Sequence, residues 1–219
     1  MRGWFVTGTD TGVGKTHVTA LLLAEFRRRG LAAAAFKPIA CGPGGRADAQ
    51  QFRRLMANEV PLDVLNPIYL RRPLAPSVAA RLERRRIDRH RILEAYAFLS
   101  ARYELVLVEG AGGLLVPIDR AYYVADLARE LRLPLLVVAR LGLGTINHTL
   151  LTVRQAQAMK LAVAGLILND TAGGRPGLAE RTNPHVLAQL ARVPLLGVVP
   201  FHYPVTRVVH RICDALLRR

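Results

Sequence analysis

The segment Gly8-Thr9-Asp10-Thr11-Gly12-Val13-Gly14-Lys15-Thr16 constrains the fold of this chain more than any other. It follows the apolar run Gly3 to Thr7 and opens a helix-period stretch that continues to about Arg29. Strand, glycine-rich turn and helix in that order form the context of a phosphate-binding loop. Glycines let backbone N–H groups turn inward, and the helix N-terminus adds positive potential. In that reading Lys15 reaches the β- and γ-phosphates of a nucleoside triphosphate and the Thr16 hydroxyl ligates Mg²⁺. The pattern G-x-x-x-x-G-K-[ST] asks for glycine six residues before the lysine, where this chain has Thr9, with Gly8 one place early.

The remainder of the chain alternates apolar runs of strand length with helix-period segments, the pattern of βαβ units. Strands are expected near Gly3 to Thr7, Ala32 to Lys37, Leu105 to Glu109, Leu135 to Ala139, Val163 to Asn169 and Leu195 to Val199. Gly30 suits the C-terminal cap of the first helix, and Asp88 suits the N-cap of a helix leading to Tyr103. Asn183-Pro184 reads as an N-cap followed by proline in the first turn. Residues 38 to 78, rich in Pro and Gly, break the alternation and carry a helix-like piece from Asp48 to Met56, a functional excursion rather than a linker. The expectation is α/β: a single domain over residues 1–219, with a doubly wound, mostly parallel sheet of the P-loop NTPase type. A chain of 219 residues is long enough to bury one such core.

Hydrophobic residues make up 51% of the chain, yet no apolar run approaches the roughly 18 residues a membrane span needs. The N-terminal residues run straight into the Gly/Thr-rich turn without the apolar segment of a signal peptide, so a cytoplasmic location is expected. Cys41 and Cys213 lie far apart, with no zinc-type or disulfide-type spacing. The formal charge of +15 comes from scattered arginines without an aromatic-rich basic stripe, which reads as solvated surface, with no nucleic acid or membrane partner expected. Against that arginine background the chain has three lysines, Lys15, Lys37 and Lys160, and the first two fall in loops after strands. A compact ammonium differs from a planar guanidinium as a phosphate ligand, so lysine at those places suggests a need for a point charge.

Phosphoryl transfer needs metal ligands and charge-stabilising cations more than covalent machinery. Glu109 is read as ending its strand before Gly110-Ala111-Gly112-Gly113, at the sheet edge where ligands bind in this fold class. Lys37-Pro38 closes the second strand, and Asp48 is either a second metal ligand or a helix cap. Asn169-Asp170 ends another strand, where the asparagine amide can pair with a purine edge or can form a turn. Leu141-Gly142-Leu143-Gly144-Thr145 precedes a helix from Ile146 to Met159, and free N–H groups at Thr145, Ile146 and Asn147 would suit a carboxylate. His148 is isolated and reads as structural.

These segments, with Leu195 to Pro200, match the order and spacing of the dethiobiotin synthetases, and over essentially its whole length the chain resembles that family. The resemblance implies a homodimer that uses ATP and Mg²⁺ to convert 7,8-diaminononanoate and CO₂ (supplied as bicarbonate) to dethiobiotin, ADP and phosphate. It implies catalytic roles for Lys15 and Lys37, and magnesium held by Thr16, Asp48 and Glu109. Nucleotide contacts would come from Gly12, Val13, Gly14, Lys15, Thr16, His17, Asp48, Glu109, Gly110, Ala111, Gly112, Asn169, Asp170, Pro200 and Phe201. Substrate contacts would come from Thr11, Lys37 and Cys41, with Gly144, Thr145, Ile146 and Asn147 given by the partner subunit to the substrate's carboxylate tail. The chain departs from the family pattern at Cys41, where serine is common, at Gly12, where some members are acidic, and over Phe201-His202-Tyr203-Pro204.

Two rivals share the loop. Amidotransferase-type cobyrinate synthetases add a glutamine-hydrolysing domain, for which this chain has no room. Positioning and DNA-partition ATPases carry a lysine near the start of the loop, where this chain has Asp10.

Overall fold

The computed structural model describes residues 2–201 and 204–218. The N-terminal half runs β1 (Arg2–Gly8), α1 (Lys15–Arg28), β2 (Ala33–Phe36), β3 (Ile39–Cys41), α2 (Ala47–Leu55), α3 (Leu62–Leu65), β4 (Ile68–Leu70), α4 (Pro76–Leu82) and α5 (Arg89–Ser100). It continues with β5 (Leu105–Gly113), β6 (Pro117–Asp119), β7 (Tyr122–Tyr123), α6 (Val124–Glu130) and β8 (Leu135–Arg140). The last elements are α7 (Thr145–Ala158), β9 (Val163–Asn169), α8 (Leu178–Leu190), β10 (Leu195–Val199) and α9 (Thr206–Leu217).

Six strands form one sheet in the order β10-β9-β8-β1-β5-β2, every neighbouring pair parallel. The chain winds from β1 toward β5 and β2 on one side and toward β8, β9 and β10 on the other. The winding sense therefore reverses at β1, and ligands in such sheets bind beyond the strand ends at that switch point. Strands covered on both faces read as continuous apolar runs. Accordingly Leu105 to Val108 and Leu135 to Ala139 are wholly buried. Trp4 stacks on Phe26 of α1 with ring centroids 5.9 Å apart, which fixes the first helix against the sheet.

The excursion between β2 and α5 is an ordered flap. β3 and β4 pair in parallel as a separate two-stranded sheet, with α2 and α3 between them. Asp88 caps α5 as expected, accepting from the amides of His90 and Arg91. Gly30 follows the C-cap of α1 at φ +82°, as a left-handed C′ glycine should.

Two sequence expectations fail. Asn183-Pro184 does not start a helix: α8 begins at Leu178, with Gly177 as N-cap, and Pro184 lies inside it. The Asn183 side chain is used elsewhere, its amide donating to the carbonyls of Leu141 and Gly142 at 3.0 Å each. Nor does Glu109 end its strand, since β5 continues to Gly113. Gly110 permits that extension, because a Cβ there would meet the Phe5 ring at 2.8 Å and the Val124 side chain at 2.9 Å.

Candidate active site

The turn between β1 and α1 is built around close contacts with glycine. A Cβ on Gly8 would lie 2.8 Å from Lys15 Nζ and 2.7 Å from the Asp10 carbonyl oxygen. Glycine one place early is therefore the residue that lets the lysine fold back over the loop, where its ammonium donates to the Asp10 carbonyl at 2.9 Å. Gly14 caps α1 in the left-handed region at φ +91°, and a Cβ there would strike Asn169 Nδ2 at 2.1 Å. Asn169 Nδ2 in turn donates to the Val13 carbonyl at 3.1 Å. Among the described residues, the amides of Val13, Gly14, Lys15, Thr16 and His17 find no acceptor, whereas Val18 N–H returns to the Gly14 carbonyl. Five open amides at a helix start make an anion-binding nest. The His17 side chain is exposed and offers the nest only its amide.

Beside the nest lies a cluster of charge. Lys37 Nζ is 2.5 Å from Glu109 Oε1 and 2.8 Å from Asp48 Oδ2, and the Thr16 hydroxyl donates to Glu109 Oε1 at 2.8 Å. Glu109 is 1% exposed and Lys37 is 6% exposed. Burial pulls the Lys37 ammonium down, but the carboxylates of Glu109 and Asp48 outweigh it and hold it above the usual lysine range. For Lys15 the balance falls the other way. Burial lowers it to about 8, opposed by Glu109 and reinforced by the Lys37 ammonium. Burial likewise raises the Cys41 thiol to about 11, so it faces the site as a neutral group.

These groups share a cavity of about 580 Å³, lined by Thr11, Gly12, Gly14, Lys15, Thr16, Lys37, Cys41, Asp48, Glu109, Ala111 and Gly112 among others. Asp48 does not cap α2. Arg46 occupies that position and Asp48 falls in the first turn, which frees its carboxylate for Lys37. Asn169, Asp170, Pro200 and Phe201 lie at the ends of β9 and β10, with Asp170 N–H bonded to the Val199 carbonyl at 2.8 Å. Asp170 makes the turn itself, Oδ1 accepting from Ala172 and Gly173 amides, while Asn169 Oδ1 is buried without a partner among the described residues. The Phe201 ring packs on Gly173. His202 and Tyr203 lie outside the described residues. The turn at Gly144 to Asn147 does not line the cavity of its own subunit. The Thr145 amide is taken by the Gly142 carbonyl at 3.3 Å, leaving Ile146 and Asn147, among the described residues, as the open amides of that helix start, two rather than three.

Sequence reading missed how Lys37 is held. Its N–H donates to the Leu65 carbonyl at 2.9 Å, and the buried Asn66 Nδ2 donates to its carbonyl at 2.7 Å. Asn66 is fixed in turn by Arg46, whose Nε donates to Oδ1 at 3.0 Å. The available signal was an Asn-Pro pair between two strand-like runs. Pro73 to Pro76, which also line the cavity, gave no chemical signal at all.

The donor set suits a hard divalent cation. Glu109 Oε2 is buried without a partner, and Thr16 and Asp48 add a hydroxyl and a half-exposed carboxylate. Among the described residues no group of three or more His, Cys, Asp and Glu converges as a complete cage. Magnesium is commonly held this way, by one or two carboxylates with waters and substrate phosphates completing its shell.

Nest, lysine and acidic strand residue at the switch point of a parallel sheet define a P-loop NTPase. The family described as "AAA domain" matches residues 2–208. Among solved structures, the fold is similar to the MinD cell division protein of Aquifex aeolicus (TM-score 0.61, 13% identity, 100% of this chain and 98% of that chain). It is also similar to a plasmid partition protein of Borrelia burgdorferi (TM-score 0.60, 12% identity, 99% of this chain and 98% of that chain). Sequence relatives are far closer. The ATP-dependent dethiobiotin synthetase of Anaeromyxobacter sp. (strain K) is 46% identical, over 94% of this chain and 93% of its own. That of Thermodesulfovibrio yellowstonii is 41% identical, over 91% of this chain and 88% of its own. The chain belongs to the dethiobiotin synthetase family.

Proposed function

We propose that this chain, acting as one domain in a cytoplasmic homodimer, catalyses the ATP- and Mg²⁺-dependent carboxylation and ring closure of 7,8-diaminononanoate. The observation that carries the proposal is the convergence of Lys15, Lys37, Thr16, Asp48 and Glu109 on one cavity at the loop. One substrate amine adds to CO₂ and loses a proton, giving a carbamate. A carbamate oxygen attacks the γ-phosphorus and ADP leaves. The second amine then attacks the activated carbonyl carbon, forming the urea ring and releasing phosphate and a proton.

The chain's own residues serve this sequence by positioning and charge. The five open amides and Lys15 would hold the triphosphate, while Lys37 would offset the negative charge that builds between carbamate and γ-phosphate. Thr16, Asp48 and Glu109 would hold magnesium, which neutralises phosphate charge when bound. Asn169 Oδ1 would accept from the adenine amino group, with Pro200 and Phe201 beside the purine. The open amides of Ile146 and Asn147 of the partner subunit would take the substrate carboxylate, a role supported by their distance from the cavity lining of their own subunit. Cys41 would face the diamine as a neutral wall. Among the described residues no helix is long and apolar enough to cross a membrane.

Calorimetry of diaminononanoate binding with and without bicarbonate tests the proposal. Mutual enhancement of the two ligands is expected. A diamine that binds no better with bicarbonate, or fails to bind, contradicts it.

A further inference from the structure

We propose that Lys37 is a built-in counter-cation of the metal site: its ammonium bridges Glu109 and Asp48 until a divalent cation displaces it, and the released side chain then turns to the anionic reactants. This rests on the proposed reading in one respect, that these carboxylates and Thr16 are the magnesium ligands.

Three observations support the exchange. First, the oxygens Lys37 occupies are those a metal would need. Nζ bridges Glu109 Oε1 at 2.5 Å and Asp48 Oδ2 at 2.8 Å, and the Thr16 hydroxyl donates to the same Oε1. Glu109 thus has one oxygen crowded by two donors and the other, Oε2, buried with none. A metal binding there competes with the ammonium directly. Second, charge balance favours a resident cation. Two carboxylates face two ammonium groups, and a buried carboxylate without such pairing is costly by several kcal/mol. Adding a divalent cation leaves a surplus of two positive charges beside the open amides, which suits a triphosphate. Third, the motion is confined to a side chain. The Lys37 backbone is fixed by the Leu65 carbonyl and by Asn66, while four methylenes give its ammonium reach. A compact ammonium makes single contacts that a metal can replace, where a guanidinium would fork across both carboxylates and hold them.

The chain's three lysines make a direct test possible on the unaltered protein. With ¹⁵N-labelled lysine and no nucleotide, the buried Lys37 ammonium should give an exchange-protected signal, identified by its loss in Lys37→Gln. Mg²⁺ should shift or broaden that signal. Calorimetry of Mg²⁺ binding without nucleotide provides the second arm. Lys37→Gln should bind Mg²⁺ at least about tenfold more tightly than the parent, and Lys15→Gln, which removes a nearby charge that does not touch the carboxylates, should gain clearly less. Equal gains in the two variants would reduce Lys37 to a general field effect and overturn the proposal. So would no gain in Lys37→Gln, or a Lys37 signal unmoved by Mg²⁺ that calorimetry shows to be bound. Neither arm involves diamine or turnover, so its failure leaves dethiobiotin formation by the parent enzyme as a separate question.

Discussion

Two clusters of charge sit on this molecule, one on either end of α1. At the C-terminal end, Glu25 accepts from Arg28 Nε at 2.8 Å, Arg28 Nη2 at 3.0 Å and Arg29 Nε at 2.5 Å, with His210 Nε2 at 3.2 Å. Arg29 also reaches Asp214 at 2.6 Å and the His210 carbonyl at 3.0 Å, tying α1 to α9. Both Glu25 oxygens are saturated, and hydrogen bonds from Arg28, then Arg29, hold its carboxyl down at about 2 against the opposing pull of burial. At the N-terminal end the loop cluster is left incomplete: among the described residues Glu109 Oε2 and Asn169 Oδ1 are buried without partners, and five amides have no acceptor. A satisfied cluster fastens helices together. One that stops short of satisfaction costs stability and leaves places for a ligand to fill.

The contrast breaks most easily at the loop. Lys15→Ala should lose turnover by about 1000-fold and weaken ATP binding with it, since both the ground state and the transition state lose a phosphate ligand. Lys37→Ala should lose turnover by about 100-fold or more while ATP affinity changes only a few-fold, as steady-state kinetics with equilibrium nucleotide binding will separate. Unchanged turnover removes Lys37 from the mechanism. Next, Glu109→Ala leaves the buried Lys37 ammonium with the half-exposed Asp48 as its carboxylate partner and should lower the free energy of unfolding by about 3 kcal/mol in urea titrations. Glu25→Ala, in the satisfied cluster, should cost about 1–3 kcal/mol while leaving turnover per folded molecule within about twofold. Its effect depends on pH in a defined direction. The folded carboxyl titrates at about 2, below the ~4.3 of the unfolded chain, so the unfolded state binds more protons between those values. The Glu25 contribution is therefore full above pH ~4.3 and fades as pH falls toward 2; a difference between parent and variant that stays constant down to pH 2 would contradict it. The smallest change is expected for Cys41→Ser: a neutral wall residue exchanged for a better hydrogen-bonding one should move diamine KM by less than about threefold.

How much of this was legible in the sequence follows physical lines. All six strands of the main sheet could be read, because strands buried on both faces write themselves as apolar runs such as Leu135 to Ala139. Lys15, Lys37 and Glu109 could be read because lysine is scarce in this chain and because a carboxylate between an apolar run and four residues of Gly and Ala has few structural uses. The small β3–β4 sheet could not, since its strands have three residues each and show no periodicity. Asn66 and Arg46 were invisible for a related reason: they act by bonding backbone carbonyls far along the chain, and such tertiary bonds leave no mark on spacing. Pro184 misled because proline in a first helical turn is the common case, and here Asn183 is recruited to tie down the Leu141–Gly142 turn from inside a helix.

The loop cluster is expected to consume one ATP for each ring that it closes. Incubation with ¹³C-bicarbonate, diaminononanoate and Mg²⁺-ATP, followed by mass spectrometry of the product and assay of ADP, measures this directly. One ¹³C in each dethiobiotin molecule and one ADP for each ring formed are expected. ADP released at the same rate without the diamine, or a product that carries no label, would contradict it.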